Sequence, residues 1–275
     1  MKIVADSCCD LNDNLREEMN IEIVPLTIKV NGKHYVDDNS LSQADLIKDM
    51  KEDENIPKSA SPSPQSFIEA YKGKESVFVV TLSNALSSTY NNALLAKDMF
   101  LEDNEKFVHV FDSFSASVAE TLVSMKISEL IKENLKENEI VETVNNYIKE
   151  MKTYFVLESL DNLIKAGRIN KLKGKIASVL SIKPVMGANE DGEIYLVKKV
   201  RGSKRALKKM VNIIGETGDK FEDKILGIAH CNCLERAEKV KEEVLKKYNF
   251  KDIVIVDTAG ISTVYANDGG IVIAF

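Results

Sequence analysis

This sequence has little of what catalysis usually needs. Of its 275 residues only three are histidine, and no tryptophan is present. His34, His109 and His230 have no nucleophile placed beside them, and His109 lies within an apolar strand pattern that marks it as a core residue. There is no GxSxG elbow, no GxGxxG, no P-loop and no HExxH. The four cysteines fall as an adjacent pair, Cys8 and Cys9, and an i,i+2 pair, Cys231 and Cys233. Neither spacing suits a disulfide framework or a C-x₂-C zinc site. They read as small buried hydrophobes in a cytoplasmic protein, and no metal site is expected from them together with His230. No apolar run reaches the roughly 18 residues that a membrane span needs. The opening MKIVADS reads as a short strand and turn rather than a signal peptide. A net charge of −6 argues against general nucleic-acid binding. It leaves room for transient contact with a membrane surface. Repeats, low-complexity stretches and proline- or glycine-rich linkers are missing as well.

What is present is a regular alternation of strand and helix patterns. KIVA, IEIVPLTIKV, SVFVVTL and FVHVFD read as strands, each followed by a helical pattern. The longest helix runs through SVAETLVSMKISELIKENL, with Val118, Leu122, Met125 and Ile131 at helical spacing. Continuous apolar strands with intervening helices predict a mostly parallel sheet covered on both faces. Beyond TYFVLES the pattern changes. SIKPVMGANEDGEIYLVKKV reads as two strands around a hairpin at Gly192, followed by a helix, the strand KILGIAH, a second helix and the strands DIVIVD and GIVIAF. The fold class is therefore α/β in two domains: residues 1–152 with a mostly parallel sheet, and residues 153–275 with a mixed sheet.

Ligands of open α/β sheets bind beyond the carboxyl ends of the strands. Four such ends carry small polar residues: Asp6-Ser7 with Asp10, the Ser59–Ser63 segment, Ser83-Asn84, and Asp112-Ser113. Each could equally cap a helix, and capping is the preferred reading for Ser63, Ser87 and Ser115. Asp10 could cap the helix that follows it. Ser59 and Ser83 are less easily explained that way. Hydroxyls without a base hold an anion better than they attack a carbonyl. Two stretches dense in cations, KAGRINKLKGK and KKVRGSKRALKK, stand out on an acidic chain. Charge runs usually form solvated faces, but Arg168 follows a glycine at a helix end and Arg201 ends a strand, positions from which a guanidinium can reach an anion.

Six short motifs in order carry a family resemblance: DSCCDL, KSASPSPQSF, LSNALSSTYNNA, FDSFSAS, LDNLIKAGRI, and SIKPVMGANEDGEIYLVKKVRGSKRA. Together they resemble the DegV family, fatty-acid-binding proteins that include the FakB-type subunits of bacterial fatty acid kinase. The resemblance implies two α/β domains with one long-chain fatty acid buried between them, no cofactor, and no catalytic residue of its own. A separate kinase subunit would convert the bound acid to an acyl phosphate. It implies a carboxylate site at Ser59, Ser61, Ser83, Asn84 and Asn267, with Arg168 and Arg201 in contact with the anion or the partner. Ser88 and Ala166 stand where the family pattern has glycine. NDGG at Asn267 stands where it has HTGPG, so Asn267 takes the place of a histidine. That substitution keeps open a lipid sensor or scaffold that is never phosphorylated; a serine acyl hydrolase is disfavoured by the missing base.

Overall fold

The structure, a computed structural model, describes residues 1–53, 55–169 and 182–275. The cations of KAGRINKLKGK beyond Arg168, and Ser181 at the start of SIKPV, lie outside the described residues.

The N-terminal half is built on four parallel strands in the order β2-β1-β6-β7, formed by β1 (Lys2–Asp6), β2 (Ile21–Val24), β6 (Val77–Thr81) and β7 (Val108–Asp112). Their two-residue period sorts the side chains. Ile3, Ala5, Phe78, Val80 and Phe111 face one core, and Val4, Val77, Val79, Val108 and Val110 face another. Helices α3 (Pro64–Tyr71) and α4 (Thr89–Leu101) cover the second face. Helices α1 (Asp13–Met19), α5 (Val118–Lys132) and α6 (Glu137–Glu150) line the first.

IEIVPLTIKV is not one strand. Pro25 has no amide hydrogen for a ladder, and the segment splits there into β2 and β3 (Thr27–Val30). Strand β3 joins a separate antiparallel sheet between β4 (Lys33–Val36) and β5 (Lys58–Ala60). The β3–β4 turn is Asn31-Gly32, with φ of 50° and 73°, a hairpin signal that the sequence carried openly. Helix α2 (Gln43–Glu52) lies between β4 and β5 in the chain.

All the described strands from Thr153 onward belong to one six-stranded mixed sheet, β10-β9-β8-β13-β11-β12. They are β8 (Thr153–Val156), β9 (Ile182–Ala188), β10 (Ile194–Arg201), β11 (Ile225–His230), β12 (Asp252–Asp257) and β13 (Ile271–Ala274). Helices α8 (Ser203–Thr217) and α9 (Leu234–Leu245) bury their apolar stripes on one face, with Met210, Val211, Val240 and Val244 against Leu226, Ile228, Ile271 and Ile273. The other face, with Phe155, Met186, Ala229, Val272 and Ala274, shares one continuous core with the N-terminal half through α5. Gly227 permits that approach: a Cβ there would lie 2.5 Å from Val118 Cγ2.

Two further short α-helices lie among the described residues, α7 (Asp161–Lys165) and α10 (Gly260–Ala266). Helix α10 had no place in the sequence reading. It is anchored by the N-terminal half. The carboxylate of Asp37 accepts from Gly260 N at 2.7 Å and Ile261 N at 2.8 Å, and Asp10 accepts from Ala259 N at 2.7 Å. Asp10 therefore does not cap α1. Asn12 does, accepting from Leu15 N. Ser63 caps α3 as its position before Pro64 suggests.

Candidate functional site

Beyond the carboxyl ends of β1, β6 and β7 the two halves enclose an apolar cavity of about 120 Å³. A water-sized place takes roughly 10–15 Å³ on this measure, so the described walls hold about ten such places. The N-terminal half contributes Cys8, Leu26, Leu82, Leu86 and Ala116. Thr153, Phe155 and Leu157, alternate residues at the start of β8 and just beyond its end, form one wall with Val272 of β13. Ala188, Gly192 and Ile194 come from the β9–β10 hairpin, and Ile261, Ser262, Tyr265 and Ala266 from α10.

A hydroxyl pair and a cation lie together at one end, while Ser115, Ser117, Thr153 and Ser262 line other parts of the wall. Ser59 Oγ and Tyr265 OH are 2.9 Å apart, and the Arg168 guanidinium lies 5.7 Å from the Tyr265 ring centroid. Arg168 owes its placement to the end of α7. Gly167, at φ 82°, and Arg168 donate their amides to Ile164 O and Leu163 O, the paired bonds of a glycine-terminated helix. The chain thus turns back, and Arg168 donates to Leu86 O at 3.2 Å and Ala166 O at 2.6 Å. Among the described residues it is the one cation lining the cavity. Ser87 also lines it, its hydroxyl 2.9 Å from that of Thr89.

Of the residues singled out from sequence, Ser59 and Arg168 meet at this end. Ser61, Ser83, Asn84, Asn267 and Arg201, the other residues expected at the anion or the partner, do not line the cavity, whereas Ser87 and Ser115, read as caps, do. Ser83 is fully buried, but its hydroxyl donates to Gly192 O at 2.9 Å and accepts from Ala85 N, so it latches the β9–β10 hairpin to the N-terminal half. Ser61 pairs with Ser88 and accepts from Asn92 on α4. Asn84 is exposed and bonds to Asn91 and Asp112. Asn267 ends α10, and its amide is taken up by Asn162 Nδ2 and Ser159 O; the neighbours that line the cavity are Tyr265 and Ala266. Arg201 is exposed at the end of β10. Ser115, read as a cap, instead pairs with Thr153 at 2.8 Å. Tyr265 was missed altogether. The only signal was an aromatic hydroxyl one helical turn past Ile261.

Behind the wall lies a buried acidic cluster. Asp6 accepts from Cys8 N and Leu82 N, both at 2.8 Å, tying the ends of β1 and β6 together. Burial nevertheless pushes its pKa up to about 7, and burial does the same for Asp10, which accepts from Ser117 and Ala259. Neither oxygen of the fully buried Glu120 has a partner among the described residues. Burial, with Asp6 beside it, raises this carboxyl well above the ordinary range. One oxygen of Asp6, one of Glu120 and Cys8 Sγ lie within 4.8 Å of one another. Burial raises the Cys8 thiol too, which disfavours the thiolate as nucleophile or ligand. The two cysteine pairs and His230 form no common ligand group among the described residues, and none of the three histidines lines the cavity. The cavity thus offers hydroxyls and one cation to an anion, with no imidazole base.

A family model described as "Uncharacterised protein, DegV family" matches residues 1–275. A DegV domain-containing protein of Streptococcus pyogenes serotype M1 is 34% identical over 277 residues, covering 100% of this chain and 98% of the relative. The crystal structure of a DegV family protein from Ruminococcus gnavus, refined with vaccenic acid, superposes with a TM-score of 0.97 at 42% identity, covering 100% of this chain and 98% of that one. The Streptococcus pneumoniae fatty acid kinase B3 protein, loaded with linoleic acid, superposes at 0.91 with 33% identity and the same coverage. No helix among the described residues is long and apolar enough to cross a membrane. A match along the whole length, by family model, sequence and fold, shows that this chain belongs to the DegV family.

Proposed function

We propose that the protein binds one long-chain fatty acid in this cavity and presents its carboxylate to the catalytic subunit of a fatty acid kinase. It is a lipid-binding protein rather than an enzyme, and it needs no cofactor. The observation that carries the reading is the make-up of the cavity: a mostly apolar lining, with Ser59, Tyr265 and its cation Arg168 together at one end. Burying about 14 methylenes at ~0.8 kcal/mol each supplies roughly 11 kcal/mol of gross driving force. One hydrogen bond to a charged group adds about 1.5–3 kcal/mol. The tail therefore supplies most of the affinity, while the polar end sets the register and avoids an unpaired buried charge.

Relatives loaded with vaccenic and linoleic acid support the ligand class, and the kinase B3 relative supports the partner. Exposed Arg201, in a cation-dense stretch of an acidic chain, is suited to steering that partner. We place the domain division at 152/153, where the strands change sheets, and the protein in the cytoplasm, where its four free cysteines would stay reduced. Titration with a fluorescent fatty acid tests the head-group end. Ser59→Ala, Tyr265→Phe and Arg168→Met are each expected to weaken binding by about 1–3 kcal/mol. Parent-like binding by all three would place the carboxylate elsewhere.

A further inference from the structure

The cation and the phenol of the head-group end stand on different short helices. Arg168 follows α7, and Tyr265 lies on α10. Helices of five and seven residues form too few bonds to hold themselves in place, so contacts between them must set their relative position. Two asparagines make the polar contacts. Asn162, the second residue of α7, donates from Nδ2 to Val264 O at 2.7 Å and to Asn267 Oδ1 at 3.1 Å. Val264 precedes Tyr265 in the last turn of α10, where carbonyls lack a partner within the helix. Asn267 sends its own amide to Ser159 O, just ahead of α7, at 3.4 Å. Its backbone has φ 58° and ψ 162°, a strained conformation that persists only where the surroundings hold it.

We propose that Asn162 is the positioning residue of the head-group end: by tying α7 to α10 it holds Arg168 where it and Tyr265 meet one carboxylate, and so sets the preference for an acid over a neutral lipid. The proposal rests on the fatty-acid reading and deepens it. The route from the asparagine to the arginine is short. Asn162 O accepts from Ala166 N, Ile164 O from Gly167 N, and Leu163 O from Arg168 N, at 2.9, 3.1 and 3.0 Å. The start of α7 is fixed separately. Glu158 Oε1 takes Ser203 Oγ at 2.9 Å and Arg236 at 2.6 Å, and Oε2 pairs with Lys183 at 2.8 Å. That hub ties the chain before α7 to β9, α8 and α9 but does not reach α10. Asn162 is the link that keeps the helix from tilting away from Tyr265. Neither Asn162 nor Asn267 lines the cavity, and Leu163 is the one α7 side chain that does. A tilt of α7 would therefore weaken a directional guanidinium–carboxylate contact while leaving most of the apolar lining as it is.

The test compares oleate with oleyl alcohol, which has the same tail and no charge, by displacement of a fluorescent fatty acid from delipidated protein. The parent should prefer oleate. Asn162→Leu keeps the bulk and loses the amide, and it should lower the ratio of oleate to alcohol affinity about tenfold, the scale of one hydrogen bond to a charged group. Where Asn162→Leu fails to fold, Asn267→Gly carries the same test, because glycine accepts a positive φ and only the side chain is lost. In an Arg168→Met background, Asn162→Leu should lower the ratio no further, since the two changes remove the same contact. Asp161→Asn, exposed on the same helix, should keep the parent ratio. A parent-like ratio in both asparagine variants overturns the positioning role alone, as does a further fall in the double variant or an equal fall in Asp161→Asn. A parent that does not prefer oleate to the alcohol overturns the fatty-acid reading and the positioning role with it.

Discussion

Asp37 should matter more than any other residue of its loop, because it holds a wall of the cavity in place. Its carboxylate is buried at 4% exposure and accepts from Gly260 N and Ile261 N in the first turn of α10. These amides have no partner within the helix, and an anion at a helix N-terminus is favoured by the aligned peptide dipoles. Asp37→Ala removes two charge-assisted bonds of about 1.5–3 kcal/mol each. Part of that is returned, because burial raises the pKa of Asp37 and so disfavours its charge in the fold. A net loss of about 2–4 kcal/mol follows, with Asp37→Asn, which keeps one acceptor, losing about half. Since Ile261, Ser262, Tyr265 and Ala266 all come from α10, fatty-acid affinity should fall alongside stability. Urea unfolding at pH 7 with and without oleate measures both. Asp38→Ala is the control, because Asp38 is exposed and bonds only locally to Ser40. If Asp37→Ala loses no more than the roughly 0.5 kcal/mol of an ordinary surface change, or no more than Asp38→Ala, α10 is not held from the N-terminal half.

Two further outcomes follow from the same contacts. Asp6 and Asp10, raised from 3.8 to about 7, bind a proton in the folded state that the unfolded chain has already released. Their stabilisation is fully present below about pH 4 and is lost as pH rises toward about 7, at up to ~1.4 kcal/mol per pH unit for each group; Asp10→Asn should flatten the slope of unfolding free energy against pH, and an unchanged slope would count against the assignment. Gly192→Ala should destabilise by about 1–3 kcal/mol, because φ is 72° and the new Cβ would lie 2.2 Å from Ser83 Oγ; adding Ser83→Ala should recover part of the loss in the same unfolding assay, and no recovery would mean that backbone strain alone is responsible.

The strands were legible because their apolar runs are continuous, as in VFVVT, where every residue is buried. The hairpin at Gly192 was legible from its turn residues. The break at Pro25 was legible in principle, since proline cannot serve a central strand. Helix α10 was not: GISTVYA is short, opens on glycine and is rich in β-branched residues, so propensity argues against it. It forms because Asp10 and Asp37, more than two hundred residues away, supply acceptors for its first amides. The same non-locality explains the site. Ser59 and Arg168 carried a local signal, a strand end and a helix end. Tyr265 depended on a helix that the pattern hid. Ser83 and Asn267 carried the right chemistry for an anion, yet their hydrogen bonds are taken by Gly192 and by the Ser159–Asn162 turn. Neither partner could be inferred from spacing along the chain.

The most direct test of the central claim is the lipid content of the protein as purified from a bacterial host. Organic extraction followed by mass spectrometry should find a long-chain fatty acid at close to one per chain, lowered in a Tyr265→Phe, Arg168→Met double variant. Protein that emerges free of lipid, and that takes up neither palmitate nor oleate when they are added, would contradict the account.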